Sequence, residues 1–303
     1  MTSKPKAVHQ LTSAQFDTMF PVGNEDACKA YLAARRWPHG ARCPRCGNPA
    51  VYDLPSRKWH WQCSKCSDSG YRFSVIAGTI FENTNKPLRD WFKVAHLILT
   101  SKKGMSARQL GRYMGFGSVK TAWMMAHKIR LALVEENTDK LGGIVEVDET
   151  YVGGKDKNRH WNKRHHGMTG GEATGKTPVI GAVSRKGNVV ARVLDHVNSI
   201  NAQSFIREMV SNKVSLLATD ASTIYDGLIE YPRLTVDHHR KQYVVGAVHT
   251  NTIEGFWSIF KRGVVGTFHK VSAKYMPLYV AEFQFRYNNR FNADIFGTAI
   301  NGC

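Results

Sequence analysis

The spacing of apolar residues changes several times along this chain, and each change marks a different kind of structure. Over residues 1–36, Phe16, Met19, Phe20, Cys28, Tyr31 and Leu32 recur loosely at helical intervals and predict a short helical lead-in. Residues 37–82 turn strand-like. VYDLPSRKWHWQC alternates as a hairpin does, and GYRFSVIAGTIFE predicts a further strand. Helical period returns over 83–140. Leu88, Trp91, Phe92, Ala95, Ile98 and Leu99 form an i, i+3, i+4 stripe, with Pro87 in the first turn. MSARQLGRYMGFGSVKTAWMMAHKIR then reads as helix, a turn at Gly115–Gly117, and helix. From residue 142, IVEVDETYVGG, TPVIGAVSRKG and NVVARVLDHV are three closely spaced strands. The helix NAQSFIREMVSN, the strand SLLATDAS, the short strand LTVDHH and a helix from Asn251 to Arg262 follow. This is an α/β order, assigned to a last domain at 141–296, and no internal repeat is visible.

Composition adds a partner. The 303 residues hold 42 Lys+Arg against 24 Asp+Glu, a net charge of +18, and 42% are hydrophobic. Such a chain buries a real core and favours nucleic acid, with a membrane surface as the weaker option. No apolar run approaches the roughly 20 residues of a membrane span, and the N-terminal residues contain no apolar signal core. A cytoplasmic, nucleoid-associated protein of a bacterium is the expectation.

The six cysteines do not suggest disulfides. Cys43-x-x-Cys46 and Cys63-x-x-Cys66 stand sixteen residues apart, the spacing at which two tight turns offer four thiolates to one tetrahedral structural Zn²⁺. A zinc ribbon at 37–82 follows. Trp59 and Trp61, between the pairs, either stack on bases or pack around the ribbon. The helix–turn–helix pattern at 83–140 places Ser118 and the candidate DNA contacts Lys120, Thr121 and Lys128 on or near a recognition helix. An ordinary helical hairpin is the alternative. Residues 155–176 interrupt the strands with six Lys/Arg and two acids in a Gly-rich run. This loop is expected to be a DNA-contacting arm, with Lys155, Lys163 and Arg164 as contacts, or else a solvated linker.

Three carboxylates suggest phosphodiester chemistry. Asp148 lies within an apolar strand, Asp220 ends another, and Glu254 is near the start of a helix. Strand alternation leaves Asp148 and Glu146 on one face, with Val145, Val147 and Glu149 on the other. Burying three charges costs several kcal/mol each unless a cation neutralises them, and oxygen ligands select Mg²⁺ or Mn²⁺. Two such ions can activate a water or a 3′-hydroxyl. Singly, Asp220 also reads as a turn residue, and Glu254 as the capping-box partner of Asn251.

The triad, with 34 residues from Asp220 to Glu254, resembles the DDE transposases with an RNase H-like core. The ribbon, the helix–turn–helix segment, VEVDETYVGGK, and HTNTIEGFWSIFKRGVVGTFHKVS with YVAEFQFRYNNR together resemble the IS1595 insertion-sequence transposases, with the ISXO2-like transposase domain. The resemblance covers residues 20–291. It implies an RNase H-like catalytic core with a mixed sheet, and Asp148, Asp220 and Glu254 as ligands of two catalytic ions. Lys261 matches the Lys that follows the third acid and is implied to bind phosphate, with Arg262 beside it. The family further implies binding to terminal inverted repeats, metal-dependent strand cleavage and strand transfer into target DNA, and at least a homodimer on DNA. His249 reads as a phosphate-orienting or a structural residue, and Asn251 and Thr252 as caps or DNA contacts. Arg286 and Arg290 read as DNA contacts or as partners of Glu282. Two other functions fit the same residues: a catalytically silent DNA-binding regulator derived from a transposase, and an RNase H-like nuclease.

Overall fold

The computed structural model describes residues 11–66, 68–135, 139–154, 156–164, 175–236 and 249–303. They divide into two compact units. The first comprises those within 11–101, 105–133 and 290–303, and the second those within 102–104 and 134–289.

In the first unit, α1 (Ser13–Met19) begins at a capping box between Thr12 and Gln15, and α2 (Glu25–Arg36) begins at Asn24. Acids at the start of α2 and Arg35 and Arg36 at its end complement the helix dipole. Strands β1 (Tyr52–Asp53), β2 (His60–Cys63) and β3 (Tyr71–Ser74) form an antiparallel sheet in sequence order. The third strand is shorter than its apolar run suggests, because residues 75–84 turn repeatedly. Helices α3 (Leu88–Thr100), α4 (Ala107–Met114) and α5 (Val119–Ala132) follow, and α9 (Ile295–Asn301) belongs to the same unit. Pro87 is the N-cap of α3 and has no side-chain acceptor to offer. Glu25 supplies one instead, accepting from the amides of Leu88 (2.8 Å) and Arg89 (3.2 Å). Phe16, Phe20, Tyr31, Phe92 and Phe296 interlock mainly edge-on around one core, with ring centroids 5.1–6.0 Å apart.

The second unit is a five-stranded mixed sheet, ordered β6-β5-β4-β7-β8, where β4 is Ile144–Val152, β5 Thr177–Ser184, β6 Val189–Val193, β7 Leu216–Asp220 and β8 Arg233–Val236. The hairpin strands β4, β5 and β6 run antiparallel, whereas β7 pairs with β4, and β8 with β7, in parallel. Between β6 and β7 lies α6 (Ser199–Met209), and after β8 come α7 (Asn251–Gly263) and α8 (Met276–Asn288). Alternation along β4 separates two cores. Val145 and Val147 pack with Ile180, Leu217, Phe205 and Ile206 on the α6 side. Val152 packs with Ile253, Trp257, Phe260 and Phe283 on the side of α7 and α8. The α/β order and the mixed sheet are those the sequence predicts.

Among the described residues, no helix is long and apolar enough to cross a membrane.

Candidate functional site

Two groups of metal-ligating side chains have the chemistry of cation sites. In the first unit, the four Sγ atoms of Cys43, Cys46, Cys63 and Cys66 all lie within 4.8 Å of one another. Cys43 and Cys66 are 3.5 Å apart, and Cys46 and Cys63 are 3.7 Å apart. These separations exceed a disulfide bond and match the roughly 3.8 Å edge of a tetrahedron with 2.3 Å Zn–S bonds. The donor set fits one structural zinc. Local turns build it: Gly47, at φ 69°, returns its amide to the Cys43 carbonyl at 2.9 Å. The Cys43 amide reaches the Asn48 carbonyl, and the Asn48 side-chain amide donates toward Cys63 Sγ at 3.7 Å. Trp61 packs here between Trp37 and Phe73, while Trp59 donates from Nε1 to Asp26 at 2.7 Å.

In the second unit, Asp148 and Asp220 occupy matching positions on neighbouring parallel strands. The register pairs Glu146 with Ala218, and each Asp lies two residues further on, on the same face. Across the sheet Asp148 is paired with Gly181. A Cβ at Gly181 would stand 2.7 Å from the Trp257 ring and 3.3 Å from Ile253, so glycine is what lets α7 lie this close to the sheet. The first turn of α7 carries Glu254. Burial pushes the Asp148 carboxyl up to about 7, aided by the charges of Glu149, Asp220 and Glu254. Burial also raises Glu149, although the Tyr225 phenol donates to it at 2.5 Å from the opposite face. A buried acid with further carboxylates beside it suits a hard cation. Their oxygens are less tightly gathered than the thiols: among the described residues only the cysteines meet the 4.8 Å spacing.

The start of α7 is built unusually. Its N-cap Thr250 makes no side-chain bond to the helix backbone, and its hydroxyl donates to Glu254 Oε1 at 2.8 Å. The amides of Thr252 and Ile253 donate to Glu146 Oε2 at 2.8 and 3.1 Å. Asn251 is the first helical residue, so the capping box with Glu254 that the sequence allows does not form. Arg185 donates from Nε to Glu146 at 2.7 Å and also reaches the His249 carbonyl at 3.0 Å, while His249 Nδ1 lies 3.3 Å from Glu146.

The candidate cations are distributed widely. Lys261 and Arg262 are exposed on α7, and Arg262 donates to the Ser258 carbonyl. Lys120 is exposed and Thr121 half-buried at the start of α5, where Ser118 caps the helix. Lys128 is half-buried, donates to the Ile80 carbonyl at 3.2 Å and lies over the Trp91 ring. Lys163 and Arg164 are exposed, whereas Lys155 and residues 165–174 of the basic loop lie outside the described residues. Arg286 pairs with Glu282 at 3.2 Å, and Arg290 lies over Phe291.

Sequence reasoning set Glu146 on the correct face but gave it no role, although a charge inside an apolar strand is a signal in itself. Arg185, Thr250, Gly181 and Tyr225 went unremarked. Their partners are 33 to 76 residues away in sequence for all but Thr250, so no local pattern marks them.

Comparison with known proteins agrees with this anatomy. Residues 140–288 match the family described as ISXO2-like transposase domain, and residues 23–69 match the transposase zinc-ribbon domain. A protein of Halobacterium salinarum described as an uncharacterized protein in transposable element ISH50 is 30% identical over 267 residues, covering 84% of this chain and 88% of the relative. A zinc ribbon beside an ISXO2-like domain, in one chain with a relative from a transposable element, places this protein in the IS1595 family of transposases.

Proposed function

We propose that this protein is an active DNA transposase that cuts and joins DNA strands at the ends of its element. The observation that carries the reading is the alignment of Asp148 and Asp220 on adjacent parallel strands beneath the helix start that bears Glu254, with the charges of Asp220 and Glu254 both felt at Asp148. The mixed sheet with helices on both faces supports an RNase H-like core.

Asp148, Asp220 and Glu254 would hold Mg²⁺ or Mn²⁺. Bound there, two such ions supply the charge that activates a water or 3′-hydroxyl and steadies the leaving oxygen. The chain's own residues do the rest. Lys261, two turns beyond Glu254, binds a phosphate near the cleft, with Arg262 beside it. Tyr225 keeps Glu149 turned to the opposite face. The α4–α5 pair serves as the helix–turn–helix, with Lys120 and Thr121 toward DNA and Lys128 bracing the helix. Lys155, Lys163 and Arg164 of the basic loop add phosphate contacts, and the zinc ribbon assists in reading the end. Joining two ends requires at least a dimer on DNA.

The test is strand cleavage and joining. Zinc-loaded protein is incubated with labelled duplex carrying the flanking element end, in Mg²⁺ and in EDTA. Cleavage at the boundary that needs Mg²⁺ and disappears in Glu254→Ala supports the reading. Tight binding without cleavage in Mg²⁺, where an active relative cleaves, replaces it with a silent DNA-binding regulator.

A further inference from the structure

We infer that Glu146 is the positioning residue of the carboxylate cleft: it clamps the first turn of α7 to β4 and so fixes Glu254 relative to Asp148. This rests on the reading of Asp148, Asp220 and Glu254 as the ligand set.

Glu146 is completely buried, between the buried Val145 and Val147 of β4. An isolated carboxylate there costs several kcal/mol, and packing alone is served better by valine. The charge is met from two sides. Arg185, in the turn after β5, donates to Oε1. From α7 come the Thr252 and Ile253 amides on Oε2 and the Thr252 hydroxyl on Oε1 at 2.9 Å. These are the amides a helix N-terminus leaves unpaired, and they favour an anion. The N-cap residue cannot serve them, because the Thr250 hydroxyl is turned to Glu254. One strand residue thus completes the helix cap, while the N-cap side chain orients the ligand.

The lever is short. Glu146 and Asp148 share a face of β4, about 6.6 Å apart along the strand. Glu254 lies one helical turn beyond Thr250. Like charges gathered at one cleft repel one another. Without a tether, this repulsion pushes the first turn of α7 away from the strands until a cation arrives. The clamp holds the acids in place beforehand, so that binding a cation does not have to reorder the helix. Glu25 caps α3 by the same long-range device in the first unit, but no further acid stands in the first turn there except Asp90.

The experiment uses zinc-loaded, full-length protein and follows Mn²⁺ binding by calorimetry without DNA, alongside cleavage as a function of Mn²⁺. Glu146→Gln keeps the size but cannot accept from Arg185 and both amides. It is expected to fold, retain its zinc and bind the element-end duplex within about threefold of the parent, while Mn²⁺ affinity falls about tenfold and cleavage at low Mn²⁺ falls about 10- to 100-fold. Excess Mn²⁺ should restore much of the cleavage. Glu146→Asp, with the charge but a shorter reach, should lie in between. If Glu146→Gln fails to fold, Thr252→Ala, which removes one donor, should raise the Mn²⁺ midpoint about twofold. Phe205→Leu, on the opposite face, controls for simple destabilisation and should leave the midpoint unmoved. A wild-type midpoint in Glu146→Gln, or an equal shift in Phe205→Leu, overturns the inference. If Asp148→Asn binds Mn²⁺ as the parent does, the ligand-set reading itself falls and takes the inference with it.

Discussion

The two cation-type sites are built by opposite strategies. The cysteine site is local. Two tight turns and a hairpin bring four thiols within 4.8 Å, over 24 residues of chain. The carboxylate cleft draws on two strands and a helix, and its acids stay further apart, with burial and its neighbours' charges raising the Asp148 carboxyl. A local site needs its ion to hold a small fold together. A long-range site has its framework first, in a sheet with a core on each face, and the ion comes afterward.

The sharpest way to break this contrast is to remove one ligand from each site. Asp220→Asn should lower cleavage by about 10³-fold or more, since several kcal/mol of charge stabilisation is lost, while melting temperature and duplex binding stay near those of the parent. Cys63→Ser should act the other way round. Metal analysis should fall from about one zinc per chain toward none, and the ribbon's amides should lose protection from hydrogen exchange. A well-folded, zinc-free ribbon removes the structural role of the metal.

A smaller effect tests how the long-range site is spaced. In Gly181→Val the new side chain meets the Trp257 ring, and overpacking of this kind costs about 1–3 kcal/mol. Melting temperature and cleavage should fall together, with zinc content unchanged. Unaltered stability would mean that α7 does not depend on the close approach.

The pH response separates the sites next. An acid held near pH 7 when folded, against about 4 when unfolded, binds its proton more tightly in the folded state. Its contribution is therefore present below the unfolded value and is lost as pH rises toward 7. In EDTA, the melting transition of the second unit should shift downward between pH 5 and pH 8 through this group. Mg²⁺ competes with the proton, so its stabilising effect should grow over the same range. An Mg²⁺ effect independent of pH counts against Asp148 as a ligand. The smallest change is expected from Lys261→Ala: duplex affinity falls modestly, and the slope of log affinity against log salt drops by about 1.

Legibility followed the same division. The zinc site could be read from spacing alone, because Cys-x-x-Cys encodes its own turn, with Gly47 in the left-handed conformation. The α/β order and the two faces of β4 were equally plain, since strand alternation is a local property. The pairing of Asp148 with Asp220 was not, for the register of β4 against β7 depends on contacts 72 residues apart. The start of α7 misled in a specific way. Asn251 and Glu254 have capping-box spacing, yet Glu146 takes up the amides and the helix starts one residue earlier than that reading requires. A long-range acceptor outcompeted a local one, and no pattern within the helix shows it.

The return of the chain to its first unit has a consequence for synthesis. Phe296, in α9, packs edge-on against Phe16 and Phe92. Residues 134–289 leave the ribosome before α9 exists, so the sheet that carries the carboxylates can form while the helical core around Phe16 still lacks a wall. The first unit is finished only after the whole of the second has been made.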